Sequence, residues 1–404
     1  MKLFYHFPVI LIFLISAGLN GYAQNRAARI HKQSLTLDSH TDSPMEIYSS
    51  GFNMAVKHDA HKDGSKLDFV RMKEGGLDAV FFAVFVGQGP RTPEGNLKAK
   101  QMAKGILDSI YAEVNRHPDF AGLAFTPGDA YRLHRQHKRA VFIGMENGYP
   151  LNDDVSMVDS FFHSGVKYIT LCHTRNNDLC HSSTDTTETG GLTDFGKQVV
   201  KRMNELGIMV DVSHISDSSF YDVLKYSGAP VIASHSDTRA LCNNPRNLTD
   251  DMIRALAAHK GVLQLCLLSD YVKAMPHNPE RDSARKALRA RYGDYSQMDD
   301  KTRASYMTEW KTIDEKYPQN LATVSDLVDH VDHIVKLVGI DYVGIGSDFD
   351  GGGGLKDCYD VSQMENITAE LVKRGYSKRD IKKIWSGNFF RVMQAVQKQA
   401  GSKS

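Results

Sequence analysis

Eight short apolar runs recur along this chain with helix-like stretches between them, and that alternation constrains the fold more than any other feature. The runs are Leu35–Leu37, Ala79–Val86, Ala140–Gly144, Tyr168–Cys172, Ile208–Val212, Val231–Ala233, Val262–Leu267 and Tyr342–Gly346. Segments such as Leu97–Arg116, Thr193–Leu206, Thr249–Ala258 and Val324–Val338 separate them. Strands that alternate with helices make βαβ units and a parallel sheet. Eight units predict an α/β fold of the closed (β/α)8, or TIM, barrel type rather than an open doubly wound sheet. No GxGxxG follows the first run, which argues against dinucleotide binding. The chain has 404 residues, 41% of them hydrophobic, enough for one such barrel with a large core.

Two segments depart from the rhythm. Residues 271–320 are charged, with the cluster Arg281-Asp282-Ser283-Ala284-Arg285-Lys286 and the helical stretch Lys301–Lys316. They fall between the seventh and eighth strands and are expected to form a helical insertion, either a lid on the functional face or a plain surface excursion. At the other end, Lys2 and His6 precede the apolar run Phe7 to Gly18, followed by Gly21-Tyr22-Ala23. A basic start, a short greasy stretch and small residues at −3 and −1 read as a signal peptide over residues 1–23. A spanning helix needs roughly 20 apolar residues, more than this run offers. Residues 24–404 are then expected to form the single barrel domain, exported to the periplasm or secreted, with no stable membrane anchor after processing. No cysteine stands at the cleavage site for a lipid anchor, and the polar stretch Lys398 to Ser404 is not a hydrophobic tail signal.

Charge narrows the partners. Forty-nine basic and 48 acidic residues are spread along the chain, so no nucleic-acid or anionic-membrane partner is expected, because such binding needs a concentrated basic face. Cys172, Cys180, Cys242, Cys266 and Cys358 are too few and scattered for a disulfide scaffold and include no CxxC pair.

The chemistry lies where polar residues follow the runs, since barrel enzymes place catalysis at the C-terminal ends of their strands. Run one leads into Asp38-Ser39-His40-Thr41-Asp42, run three into Glu146-Asn147-Gly148, and run four into His173. Run five leads into Ser213-His214, run six into Ser234-His235-Ser236, and run eight into Ser347-Asp348-Phe349-Asp350. Any one histidine in such a place is more often structural than a ligand, and this chain has 17. His134, His137, His259, His330 and His333, in helical or charged stretches, are expected to be solvated. Several ligand types at corresponding strand ends would nevertheless converge on one point. His40 and Asp42, two apart on an extended segment, share a face. His214 and His235 would add imidazoles, and Glu146 could bridge two ions. Imidazole with carboxylate suits a zinc pair, which acidifies water and polarises a carbonyl. Asp348 is suited to moving protons and His173 to an oxyanion. Arg246 could fork onto a substrate carboxylate, or pair with Asp250 or Asp251.

At this point the chain resembles the membrane dipeptidase family. The carrying motifs are Asp-Ser-His-Thr-Asp (38–42), Gly-Met-Glu-Asn-Gly (144–148), Leu-Cys-His (171–173), Val-Asp-Val-Ser-His-Ile-Ser (210–216), Ala-Ser-His-Ser (233–236), Pro-Arg-Asn-Leu-Thr-Asp-Asp (245–251) and Gly-Ile-Gly-Ser-Asp-Phe-Asp-Gly (344–351). The resemblance implies one Zn2+ on His40 and Asp42, a second Zn2+ on His214 and His235, and Glu146 bridging them. It implies substrate contacts from His173 and Arg246 and proton transfer by Asp348. The family cleaves dipeptides with a free C-terminal carboxylate through a metal-activated hydroxide. Some members accept a C-terminal D-residue or open β-lactams. One departure stands out: the family often has a Tyr just after strand seven, and this chain has Leu268 there, with Tyr271 a few residues on.

The expected function is therefore a zinc-dependent dipeptidase acting on a small-molecule dipeptide, with a homodimer left open. A second reading is another binuclear amidohydrolase acting on cyclic amides, N-acyl amino acids, β-lactams or phosphoesters. A third, a metal-bound protein without catalysis, has no use for Asp348.

Overall fold

The computed structural model describes residues 25–62, 65–276, 278–293 and 298–401; the expected signal peptide lies outside them. The strands are β1 (Leu37–Thr41), β2 (Ala79–Phe85), β3 (Ala121–Leu123), β4 (Arg139–Glu146), β5 (Val166–Thr170), β6 (Met209–Asp211), β7 (Ile232–Ala233), β8 (Val262–Leu265) and β9 (Val343–Ile345). All pairings are parallel, in the order β1-β2-β4-β5-β6-β7-β8-β9. The ring closes between the last strand and the first: Asp42 N donates to Phe349 O at 2.8 Å and Asp348 N to His40 O at 3.0 Å. The eight expected strands form the expected barrel. The short β3 was not foreseen; it pairs with Arg139–Val141 of β4, on the edge that β5 takes over from Ile143 onward.

Alternation along the strands sorts the core into two layers. Val80, Phe82 and Val84 of β2 pack outward with Ala103, Ile106 and Ile110 of the helix Pro93–Arg116. Ala79 and Phe81 pack inward with Phe142, Tyr168 and Phe389. Phe389 and Phe390 belong to the helix Asn388–Gly401, which brings apolar side chains into this inner layer. Phe81 meets Phe389 edge-on at 5.1 Å and stacks on Phe142 at 4.8 Å and on Tyr168 at 5.3 Å. Each buried ring contributes about 1.5–3 kcal/mol, so the column is a firm support for what stands above it.

The first strand begins later and runs further than the expected Leu35–Leu37. Its polar residues stay in the strand because other strands satisfy them: Ser39 Oγ donates across the barrel interior to Ser234 O, just past β7, at 2.7 Å, and Asp38 Oδ1 accepts from Ser347 N, just past the neighbouring β9, at 2.7 Å. Opposite β2, Asp38 pairs with Val80 but Thr41 with Phe82, so β1 carries one extra residue. Such a bulge shifts the alternation. Leu37 joins the inner cluster, and three residues later His40 also faces inward, within reach of Tyr168.

The insertion between β8 and β9 holds the helices Pro279–Tyr292 and Asp300–Lys316. They pack on a small core of their own, Leu288, Met298 and Tyr306, with Arg285 4.1 Å above the Trp310 ring. Lys311 Nζ reaches the carbonyl of Lys62 at 2.8 Å, in the segment after β1.

Candidate metal centre

All eight expected site residues meet at the C-terminal end of the barrel. Glu146 ends β4 and sits at their middle. Its Oε2 is 3.4 Å from His40 Nε2, and its Oε1 is 3.0 Å from His214 Nε2, 3.4 Å from His235 Nε2 and 3.9 Å from His173 Nε2. Three overlapping donor groups fit within 4.8 Å: His40 with Asp42 and Glu146; Glu146 with His214 and His235; and His40 with His235 and Asp348. The first two are the expected pair of sites joined by Glu146. The third brings Asp348 within reach of the same centre.

The backbone is bent to make this meeting. Asn147, His214, Asp348 and Asp350, all just past strand ends, take left-handed φ values of 72°, 71°, 58° and 68°. Asn, His and Asp are the non-glycine types that enter this region most readily, which suits them to the tight turns at strand ends. Gly144 is required for another reason: a Cβ there would lie 2.1 Å from the Tyr168 ring. That close pass lets the Tyr168 hydroxyl reach His40 Nδ1 at 2.7 Å, leaving Nε2 turned toward Glu146.

The electrostatics call for cations. Asp42, Glu146 and Asp348 are buried together. Burial, with Glu146 and Asp348 as neighbours, pushes Asp42 well above the carboxylate range. Burial likewise pushes Asp348 to about 6, against the opposing pull of His40. Glu146 resists its own burial and is held well below its ordinary value by His40, His173, His214 and His235. Burial drives His214 and His235 well below theirs, so both favour the neutral, ligating form. Their Nε2 atoms nonetheless face each other at 2.8 Å. Asp42 Oδ1 and His40 Nε2 have no hydrogen-bond partner. Buried carboxylates crowded this closely with imidazole nitrogens are what divalent ions resolve, and this set of imidazoles and carboxylates suits zinc-like cations. The residues fit the metal.

Beside the cluster, Arg246 is 3% exposed. It donates from Nη1 to Ser236 Oγ at 3.1 Å and from Nη2 to His235 O at 2.9 Å, and its Nε has no partner. The alternative pairing fails: Asp250 is taken by His333 at 2.7 Å and Asp251 by Arg254 at 2.9 Å. Burial raises the nearby Asp237 well above the carboxylate range even in the field of Arg246. Among the described residues no carboxylate lies within ion-pair distance of the guanidinium. His173 is partly exposed, edge-on to Phe85 at 4.9 Å.

A family profile described as "Membrane dipeptidase (Peptidase family M19)" matches residues 24–404. The chain belongs to the membrane dipeptidase family. It is 33% identical to the probable dipeptidase PvdM from Pseudomonas aeruginosa, covering 94% of this chain and 99% of that one with a TM-score of 0.80. Dipeptidase ataJ of Aspergillus terreus is 29% identical over 89% of this chain and 84% of its own length. Dipeptidase 3 of Rattus norvegicus is 27% identical over 91% of this chain and 68% of its own. Membership makes this chain a metallo-dipeptidase.

The dipeptidase centre depends on residues that the sequence reading left without a role. Asp211, at the end of β6, accepts from Thr170 Oγ1 at 2.5 Å, Ser234 Oγ at 2.6 Å and Ser234 N at 2.8 Å. Ser234 Oγ lies 2.8 Å from His235 Nδ1. With Ser234 donating to Asp211, it accepts from His235 Nδ1–H, which fixes the tautomer and frees Nε2 for metal. The quoted Val-Asp-Val-Ser-His motif carried Asp211, but its role needs the neighbouring strand. His330 corrects an expectation: it is buried, not solvated, because it ties two loops. Its Nδ1 accepts from Thr238 N at 3.1 Å and its Nε2 donates to Val272 O at 2.7 Å. Those loops carry Arg246 and Tyr271, and the Tyr271 ring lies 5.3 Å from the Arg246 guanidinium. Burial pushes the Tyr271 phenol up to about 12, so it stays a hydrogen-bond donor.

Proposed function

We propose that this dipeptidase uses two zinc ions to hydrolyse dipeptides with a free C-terminal carboxylate, C-terminal D-residues included. The observation that carries the reading is Arg246, a buried guanidinium with no acid within ion-pair distance among the described residues, standing beside a cluster that fits two cations. A buried charge without a counterion is costly, and a substrate carboxylate answers it with a charge-assisted fork. His40 and Asp42 would hold one ion and His214 and His235 the other, with Glu146 shared. Bound there, the ions supply Lewis acidity for the scissile carbonyl and acidify water. Arg246 fixes the carboxylate end, and Tyr271 takes the place that Leu268 leaves, donating its hydroxyl to the same group. His173, at the rim, donates to the carbonyl oxygen as negative charge gathers on it. Asp348 takes a proton from the attacking water and returns it to the departing amine nitrogen. With both ends of the substrate fixed, one residue fits beyond the cleaved bond.

The test is a panel assayed on the zinc-loaded protein: L,L- and L,D-dipeptides, their C-terminal amides, a tripeptide, an N-acyl amino acid and a β-lactam. Cleavage confined to free-carboxylate dipeptides supports the reading. Equal cleavage of amides or N-acyl amino acids would replace it with the broader amidohydrolase. Export follows from the Phe7–Gly18 run and Gly21-Tyr22-Ala23; the mature protein should begin at Gln24 by mass spectrometry, and an intact Met1 on envelope-derived protein would defeat it.

A further inference from the structure

The barrel end opposite the metal centre gathers cations that the sequence scatters. Arg26 and Arg29 project from a helix over residues 25–32, and Lys378, Arg379 and Lys382 from the helix Lys378–Lys382, more than 340 positions further on. Two adjoining clefts bring them together. One is lined by Arg26, Arg29 and Lys378, and the other, of about 630 Å³, by Lys378, Arg379 and Lys382. Leu35, just before β1, lines the second cleft, which places both at the N-terminal ends of the strands. All five cations are exposed. Among the described residues none has an acid within ion-pair distance; Lys378 Nζ meets only the Gln33 amide oxygen, at 2.6 Å.

The neighbouring acids are taken by other groups. Asp380 caps its own helix through Ser377, Asp341 pairs with Lys383, and Asp78 pairs with His134 and Arg139. A chain with 49 basic and 48 acidic residues thus presents two adjoining clefts lined by cations and, among the described residues, by no acid. The sequence hides them because their members come from two ends of the chain. Tyr131, 44% exposed, lies on the rim, an aromatic of the type that settles at a bilayer interface.

Exposed cations without a paired acid, with an aromatic at their rim, complement an anionic interface. We propose that this basic face docks the folded domain peripherally on an anionic phospholipid bilayer. The metal centre, at the other end of the barrel, then opens away from the lipid toward soluble substrate. Each cation near an anionic surface strengthens partitioning roughly fivefold, and the attraction fades within about 10 Å at 0.1 M salt.

The barrel and the metal centre are built from residue 25 onward, so the chain from Gln24 is the unit to test, without the apolar run. It is sedimented with vesicles of phosphatidylglycerol and phosphatidylcholine in equal parts, and with pure phosphatidylcholine. Binding at least about tenfold stronger to the anionic vesicles, and lost at high salt, is expected. The variant R26Q/R29Q/K378Q/R379Q/K382Q should lose it while keeping its dipeptidase kcat/KM, which also reports that it folds. The variant K57Q/K62Q/K98Q/K286Q/K311Q, with the same change in net charge on exposed lysines elsewhere, should keep it. Equal binding to both lipids, or equal loss in both variants, overturns the proposal. Tighter retention on duplex DNA or RNA at matched phosphate would assign the face to nucleic acid instead and overturn it as well.

Discussion

Replacing Arg246 tests the substrate reading most directly. The guanidinium directs one N–H each to Ser236 Oγ and His235 O, and its Nε–H is unpartnered. Donors therefore remain for a two-point fork on a carboxylate. A hydrogen bond to a charged group contributes about 1.5–3 kcal/mol, which is about 10- to 150-fold in kcat/KM. Arg246→Ala should lower kcat/KM for a dipeptide by that factor and leave its C-terminal amide nearly unaffected, collapsing the ratio between them. Arg246→Lys keeps the charge but not the planar fork and should fall between. Zinc content should hold in both, because His235 is oriented through Ser234 and Asp211 rather than through Arg246. The assay is steady-state kinetics on the matched pair, with elemental analysis of each protein. An equal loss on dipeptide and amide, or loss of metal, would refute the argument.

Glu146→Gln should cut bound zinc from about two ions to one or none, since one side chain faces both donor groups; retention of two tightly held ions by elemental analysis would remove its bridging role. Asp348→Asn should keep the metal and lower kcat by about 100-fold or more, the scale of a lost acid–base group. Loss of zinc would instead make Asp348 a ligand, which its place within 4.8 Å of His40 and His235 donors allows. His31 predicts a pH effect on folding. Burial lowers its pKa while Thr368 Oγ1 and Gly75 O bracket the neutral ring at 2.7 and 2.9 Å. The unfolded chain then binds more protons, so the contribution of His31 is complete above about pH 6.5 and is lost as pH falls toward the lowered native value. Denaturant titrations at pH 7 and pH 5 should show a smaller pH-dependent loss in His31→Gln than in the unaltered protein, and equal losses would exclude this origin.

The barrel was legible because its evidence is periodic: apolar, β-branched runs alternate with helical stretches, and most are followed by ligand-type polar residues. β3 escaped because Ala121-Gly122-Leu123 has a glycine at its centre and no β-branched residue, and pairs only at the root of β4. The convergence of His40, Glu146, His214 and His235 was legible because each stands at an equivalent strand end. What stayed hidden was whatever depends on a partner distant in sequence. His330 sits in a helical stretch with charged neighbours and reads as solvated, yet its two ring nitrogens join loops 92 and 58 positions away. Asp211 is quoted inside a motif, but only the adjacency of β6 and β7 reveals that it sets the proton on His235 through Ser234.

β1 departs from the alternation that its sequence implies. A strict period of two would put Leu37, Ser39 and Thr41 on one face and Asp38, His40 and Asp42 on the other. Leu37 nevertheless packs with the inner cluster, and His40, of the opposite parity, reaches Tyr168 in that same interior. Both hold because β1 has one more residue than β2 between Asp38 and Thr41. The lower half of the strand can then pack as barrel core while the upper half presents ligands. Without the bulge, turning Leu37 inward would carry His40 out toward the helices, where nothing waits for an imidazole. The bulge is held from across the barrel seam, where Asp38 Oδ1 accepts from Ser347 N and Asp348 N donates to His40 O, and from across the interior, where Ser39 Oγ donates to Ser234 O. Closure of the barrel and aim of the first ligand are therefore one event, and neither is complete until β9 docks on β1.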